Sequence, residues 1–346
     1  MKRRLLFSLG SIAICVLGGQ QPGIAQLATA AGASAVFFPI VVADGTHDTV
    51  VQLANGSPQR VFVHCLYTPG GPGGVQQAMP FDLVLLARQP THWRASTGRS
   101  TDPNDPACER GSTDCDGAGI DPGLIPPLPD GFEGDLLCVQ VDRSRAPMSG
   151  NALRGAATLL DTVTPDVAKY AAVGLSGSSA NDADETLCLG GEVSDTCPHG
   201  AEYTACPESW FLEHRAEGAA PGSDAGAPGS RTRLIIATCS RRAGTGGAPV
   251  QVRVTSELEQ SFSTSLSVQR WADIPLGGMT IFDRNLLGGD FVQTRLSTAQ
   301  VSPGIVVVAL TDRASTAGEA AGGAVIAVPF AAGVHAGQDR ILLADE

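Results

Sequence analysis

The feature that most constrains this chain is a succession of short β-type runs separated by turn residues, with hardly a helical repeat among them. Val36–Val42, Thr49–Leu53, Arg60–Tyr67, Asp82–Arg88, Leu136–Asp142 and Leu153–Leu160 come first. Arg233–Thr238, Val250–Thr255, Phe262–Arg270, Phe291–Thr298, Ile305–Thr311 and Ala324–Phe330 follow. Several alternate with period two. Val61, Val63, Cys65 and Tyr67 share one face, and Val252 and Val254 oppose Gln251 and Arg253. That alternation buries one side of a sheet and wets the other. Turn clusters such as Ala43-Asp44-Gly45-Thr46 and Asn55-Gly56-Ser57-Pro58 divide the runs. Thr164–Ala172 alone is open between a turn or two of helix and a strand. The pattern predicts an all-β chain, built as one or two Ig-like antiparallel sandwiches with long disulfide-stapled loops.

What holds such a body together is written in the cysteines. Met1-Lys2-Arg3-Arg4 is a positive start, and Leu5–Gly19 is an apolar run of about 15 residues. Gly23-Ile24-Ala25 then supplies small residues at a cleavage site, with Ala28-Thr29-Ala30 as the alternative. Residues 1–25 therefore read as a signal peptide. Arg3-Arg4 before Leu6-Phe7 leaves twin-arginine export open. Of nine cysteines, Cys15 leaves with the leader. Eight remain in an exported chain, where oxidation favours disulfides. Eight cysteines allow 105 connectivities. Cys108 and Cys115 bracket one polar loop and Cys188 and Cys197 another, so both read as local staples. Cys65 and Cys138 lie in strand-like runs that one bond could join, which leaves Cys206 with Cys239. A zinc site of Cys188, Cys197, Cys206 and His199 is the rival, but its spacing is wider than the two to four residues usual between paired ligands.

Composition narrows the function. The chain has 23 Lys+Arg against 35 Asp+Glu, a net charge of −12, and its lysines are Lys2 and Lys169. Nucleic acid needs clustered positive charge, so it is excluded as a partner. After the leader no apolar run approaches the roughly 20 residues of a spanning helix. Gly 42 and Pro 23 make the chain loop-rich but not disordered by composition. Two long loops stand out, 97–130 and 216–230. The expected organisation is a signal peptide over 1–25, an N-terminal β-sandwich over 35–178 and a second β-rich region over 179–346, with the cut near Ser176–Asn181. The two regions are also readable as one continuous unit.

A set of phrases adds to this. Phe38-Pro39-Ile40-Val41-Val42, Asp48–Asn55, Val63–Tyr67, Leu85–Trp93, Leu137–Asp142 and Glu257–Thr264, spanning about residues 36–270, resemble a group of uncharacterised secreted bacterial proteins. The resemblance implies export and a β-rich fold, and brings with it no activity, cofactor or site residue.

Catalytic motifs are sparse. Gly174-Leu175-Ser176-Gly177-Ser178 lacks the last glycine of a nucleophile elbow. No H-E-x-x-H or Walker loop occurs. His92, Trp93 and Arg94 could line a pocket. His64 alternates with Cys65, so one of the two should point outward. Glu257 and Glu259 would share a strand face about 7 Å apart, within the range of a glycosidase pair. Calcium is the stronger ligand candidate: Asp102, Asp105, Asp114 and Asp116, with Asn104, crowd the 108–115 loop, and Asn181, Asp182, Asp184 and Glu185 crowd another. No catalytic residue is assigned. The expectation is a protein of the cell surface, periplasm or extracellular space with a structural or adhesive role and an unidentified envelope or extracellular partner. The rivals are an extracellular hydrolase and a calcium-dependent surface module.

Overall fold

The computed structural model describes residues 26–27, 32–71, 78–102, 120–163, 167–178, 184–191, 197–218, 231–240, 248–298, 303–313, 321–325, 328–329 and 339–343. The leader over 1–25 lies outside them, as do Cys108, Cys115, Asn104, Asp105, Asp114 and Asp116. The fold is all-β and built from antiparallel sheets.

The first part comprises β1 (Gln26–Leu27), β2 (Ala35–Ala43), β3 (His47–Asn55), β4 (Val61–Pro69), β5 (Met79–Leu85), β6 (Pro90–Arg94), β7 (Phe132–Val141), β8 (Leu153–Asp161), β9 (Val167–Ala171) and β10 (Val173–Leu175). They pair in the order β5-β4-β7-β2-β3-β8-β9, with β6 also on β3 and β10 on β2. β2 and β3 meet at one pair, Ala43 and Asp48. The sheet folds over there into two layers. Trp93 of β6 donates its indole N–H to the Tyr67 hydroxyl of β4 at 2.6 Å, and Tyr170 of β9 donates to the Ile40 carbonyl of β2. Phe38, Ile40, Val63, Leu83, Leu136 and Leu153 fill the space between.

The expected face of Val61, Val63, Cys65 and Tyr67 is buried. Cys65 is bonded to Cys138, its direct neighbour across β4 and β7. The bridge therefore ties adjacent strands of one layer, whereas an antibody-type bridge joins facing sheets. Thr164–Ala172 resolves as a strand over its described part. Pairing of β9 with β8 and the anchored Tyr170 override the helix preference of its alanines.

The second part holds β11 (Thr186–Leu189), β12 (Ser209–Arg215), β13 (Arg231–Thr238), β14 (Ala248–Ser256), β15 (Ser261–Val268) and β16 (Trp271–Pro275). Short helical turns over Leu276–Gly278, Thr280–Phe282 and Arg284–Leu287 follow. β17 (Phe291–Thr298), β18 (Ile305–Arg313), β19 (Ala321–Val325), β20 (Val328–Pro329) and β21 (Asp339–Leu342) complete it. One sheet runs β15-β14-β17-β12-β20, another β16-β13-β18-β19, and β11 pairs with β21. Val250, Val252, Val254, Leu296 and Trp210 meet Leu234, Ile236, Val307 and Ala309 in one core. Cys188–Cys197 and Cys206–Cys239 are the other disulfides among the described residues.

The second part is packed onto the first. Ile235, Val308 and Leu310, on the far side of β13 and β18, belong to the cluster of Phe38 and Ile40. Strands buried on both faces lose their alternation, which is why Leu234-Ile235-Ile236-Ala237 and Ile305–Leu310 read as unbroken apolar runs. Ala35, Phe37, Leu137 and Val139, on the other side of β2 and β7, join the core of the second part. Trp271 donates its indole N–H to the Pro39 carbonyl at 2.8 Å. Its ring lies over Gly70, where a Cβ would come within 2.4 Å of it.

Candidate functional site

The titratable side chains are tied down one by one. His64 and Cys65 are both buried, so the expectation that one would face water fails. β4 lies between β5 and β7 and is covered on both sides, and His64 fits there because its polar edge is satisfied. Its Nδ1–H donates to Asp82 Oδ1 at 2.7 Å, and Arg145 donates to Asp82 Oδ2 at 2.6 and 3.0 Å. Burial raises the Asp82 carboxyl, but the hydrogen bond from His64 and the Arg145 guanidinium outweigh it and hold the group below its ordinary value. The arrangement fixes the His64 tautomer, as the carboxylate of a catalytic dyad does. Among the described residues its hydrogen bond is to Asp82, with no nucleophile on the other nitrogen.

His214 is a core residue. Its Nδ1–H donates to the Arg215 carbonyl at 2.8 Å and its Nε2 accepts from the Thr294 hydroxyl at 2.9 Å. Burial pushes its pKa from 6.5 down to about 4, so it is neutral at physiological pH. His47 lies elsewhere again, against Asp44 at 2.9 Å in the β2–β3 turn.

The other expected groupings come apart. Along β6, Trp93 points inward while His92 and Arg94 point outward, so the three line no common pocket. β14 ends at Ser256, whose N–H donates to the Gln260 carbonyl and closes a hairpin. Glu257 and Glu259 thus sit in a turn, Glu259 with φ of 61°, rather than on a strand face. Glu257 accepts from the Asp290 N–H at 3.0 Å. The zinc reading loses its thiolates to disulfides, since Cys188 bonds Cys197 and Cys206 bonds Cys239. Of the calcium candidates, Asp102 donates its backbone N–H to the buried Asp121 carboxylate, which also accepts from Gly123 N–H and faces Arg99. Asp184 caps the Thr186 N–H at 2.6 Å.

What the structure does assemble is a face. On the outer side of β15-β14-β17-β12, Arg253 of β14 lies beside Arg295 of β17, which is paired in turn with Phe211 of β12. The Arg295 guanidinium lies 5.9 Å from the Phe211 ring centre and that of Arg215 lies 5.1 Å from Phe291. Such stacking holds guanidiniums flat with hydrogen-bonding edges outward. Arg295 Nε is buried without a hydrogen-bond partner among the described residues. Gln251, Gln293 and the serines of β15 surround the pair with exposed donors and acceptors. β12 is a strand beyond those expected from the sequence, although Trp210, Leu212 and His214 alternate with Phe211, Glu213 and Arg215. That period was the available signal.

No family model and no curated protein matches the chain. A solved structure, the crystal structure of Thermotoga maritima 1070, aligns over 42% of this chain and 98% of its own at 10% identity with a TM-score of 0.28.

Proposed function

We propose that the chain is an exported binding protein of the cell envelope or extracellular space, structural or adhesive rather than catalytic. Its contact surface is the outer face of β15-β14-β17-β12. The observation that carries this reading is the Arg253–Arg295 pair, set beside Phe211 on the outer strand face in a chain of net charge −12. Arg215, Arg253 and Arg295 outnumber Glu213, the carboxylate on the outer face of these strands, and a local cationic excess on an acidic body selects an anionic partner. Stacked arginines among serine and glutamine side chains suit a polymer carrying both acidic groups and hydroxyls, such as an anionic envelope polysaccharide. The cross-strand disulfide and the eight cysteines that follow residue 25 fit an oxidising compartment. No described helix is long and apolar enough to cross a membrane, which fits a protein outside the bilayer but says nothing of strands.

The test is co-sedimentation of the disulfide-bonded chain with purified envelope fractions at rising salt. Retention should fall with ionic strength, and Arg253→Gln with Arg295→Gln should lower it about tenfold while the melting temperature holds. Retention by no fraction, or retention indifferent to both substitutions, would remove this face from the account.

A further inference from the structure

One edge of the same sheet lacks the usual guards. A free sheet edge offers unpaired N–H and C=O groups, and proteins blunt it with charge, proline, bulges or a covering segment. The edges at β5, β16 and β9 show these devices. β5 is covered where the Val84 N–H donates to the Pro122 carbonyl. β16 carries Asp273 and ends at Pro275, and β9 carries Lys169. β15, Ser261-Phe262-Ser263-Thr264-Ser265-Leu266-Ser267-Val268, has no charge, no proline and an unbroken register against β14. Among the described residues β14 alone pairs with it.

The ladder tells which groups face outward. Ser256 N–H donates to Gln260 C=O at the hairpin end, so 256 and 260 form a hydrogen-bonded pair. Hydrogen-bonded pairs alternate along an antiparallel ladder, so Phe262, Thr264 and Leu266 aim their backbone groups at Val254, Val252 and Val250. Ser261, Ser263, Ser265 and Ser267 aim theirs at the open edge. Phe262 and Leu266 are half-buried and rest against the rim of the core.

We propose that this edge pairs with itself: β15 joins the β15 of a second copy, antiparallel about a twofold axis at Thr264. The sheets then merge into one. In that register Ser263 meets Ser265 of the second copy, Ser261 meets its Ser267, and each serine pair exchanges two backbone hydrogen bonds. Phe262 meets Leu266 of the second copy, so the half-exposed apolar rims cover each other and the two cores run together. Small hydroxyls meet small hydroxyls and no charge opposes its like. The occupant is a second copy because the strand is complementary to itself: the axis at Thr264 is the register that sets Phe262 against Leu266 while serine meets serine, and a twofold pairing closes the assembly at two. This inference does not rest on the anionic partner: it uses the backbone groups at the edge of β15, whereas the contact surface is carried by the arginines of β14 and β17.

Sedimentation equilibrium of the full chain with its disulfides formed, at micromolar concentration and low salt, should give a dimer. Ser265→Pro removes an outward N–H without touching the bonds to β14 and should give a monomer with an unchanged circular dichroism spectrum. Ser263→Lys with Ser265→Lys sets lysines against lysines of the second copy. Ser263→Lys with Ser265→Glu sets each lysine against a glutamate. The first pair should weaken the dimer about tenfold relative to the second. A wild-type monomer would overturn the proposal, as it would if the edge takes a peptide of another protein. So would a dimer that survives Ser265→Pro, or one that the Lys/Lys and Lys/Glu variants form equally well.

Discussion

His214 shows how a single buried side chain sets a property of the whole. It is held neutral, with its pKa at about 4 against 6.5 in the open chain. The unfolded chain takes up a proton as pH falls below 6.5, and the folded one does not until about 4. Stability from this group is thus complete above 6.5 and drains away between 6.5 and 4, by about 3 kcal/mol. Asp82 and Asp44 contribute with the same sign but in a lower window, because their carboxyls are held below ordinary values, Asp44 at about 2. Denaturant melts at pH 7.5, 6 and 4.5 should show the loss in the wild type. His214→Gln, which can still bond Thr294 and the Arg215 carbonyl, should be less stable at pH 7.5 but should not weaken further across that interval. Parallel decline in both proteins would show that His214 is not the group titrating.

At the level of strands, the disulfides should differ in strength because they close chains of different length. Cys65 and Cys138 are 73 residues apart, Cys188 and Cys197 nine. Loop-closure entropy gives about 4.4 kcal/mol for the first and about 2.6 kcal/mol for the second. Replacing Cys65 and Cys138 with alanine should therefore cost about 1.8 kcal/mol more in a urea melt than the same change at Cys188 and Cys197. An equal cost would mean that residual structure in the unfolded chain cancels the length term. β4, which carries Cys65, was legible in the sequence from the alternation of Val61, Val63, Cys65 and Tyr67, and β7, which carries Cys138, from its apolar run, whereas β11, which carries Cys188, was not. β6 and β12 are less legible, being short or mixed with aromatic and charged residues on the wet face. Glu257 and Glu259 misled because composition does not reveal a hairpin: the turn is set by a backbone hydrogen bond at Ser256. The arginine–phenylalanine face was illegible for a related reason. Arg253, Arg295 and Phe211 come from three strands, and register alone brings them side by side.

Across the molecule, the question is whether the parts before and after residues 176–181 unfold together. A linker with few contacts would separate them. Here Ile235 belongs to a strand of the second part and packs into the core of the first, while Phe37 does the reverse. Trp271 is hydrogen-bonded to Pro39 and stacked over Gly70. Shared cores of this kind couple the two free energies, because opening either part leaves apolar surface of the other in water. Amide hydrogen exchange read by mass spectrometry should then give peptides covering β2 and β14 the same opening free energy. Ile235→Ala should lower both by the same amount, about 2–5 kcal/mol, since the cavity it leaves is lined from both sides. If the β2 peptide alone responds, the parts are separate folding units that happen to touch, and the buried runs of β13 and β18 need another cause.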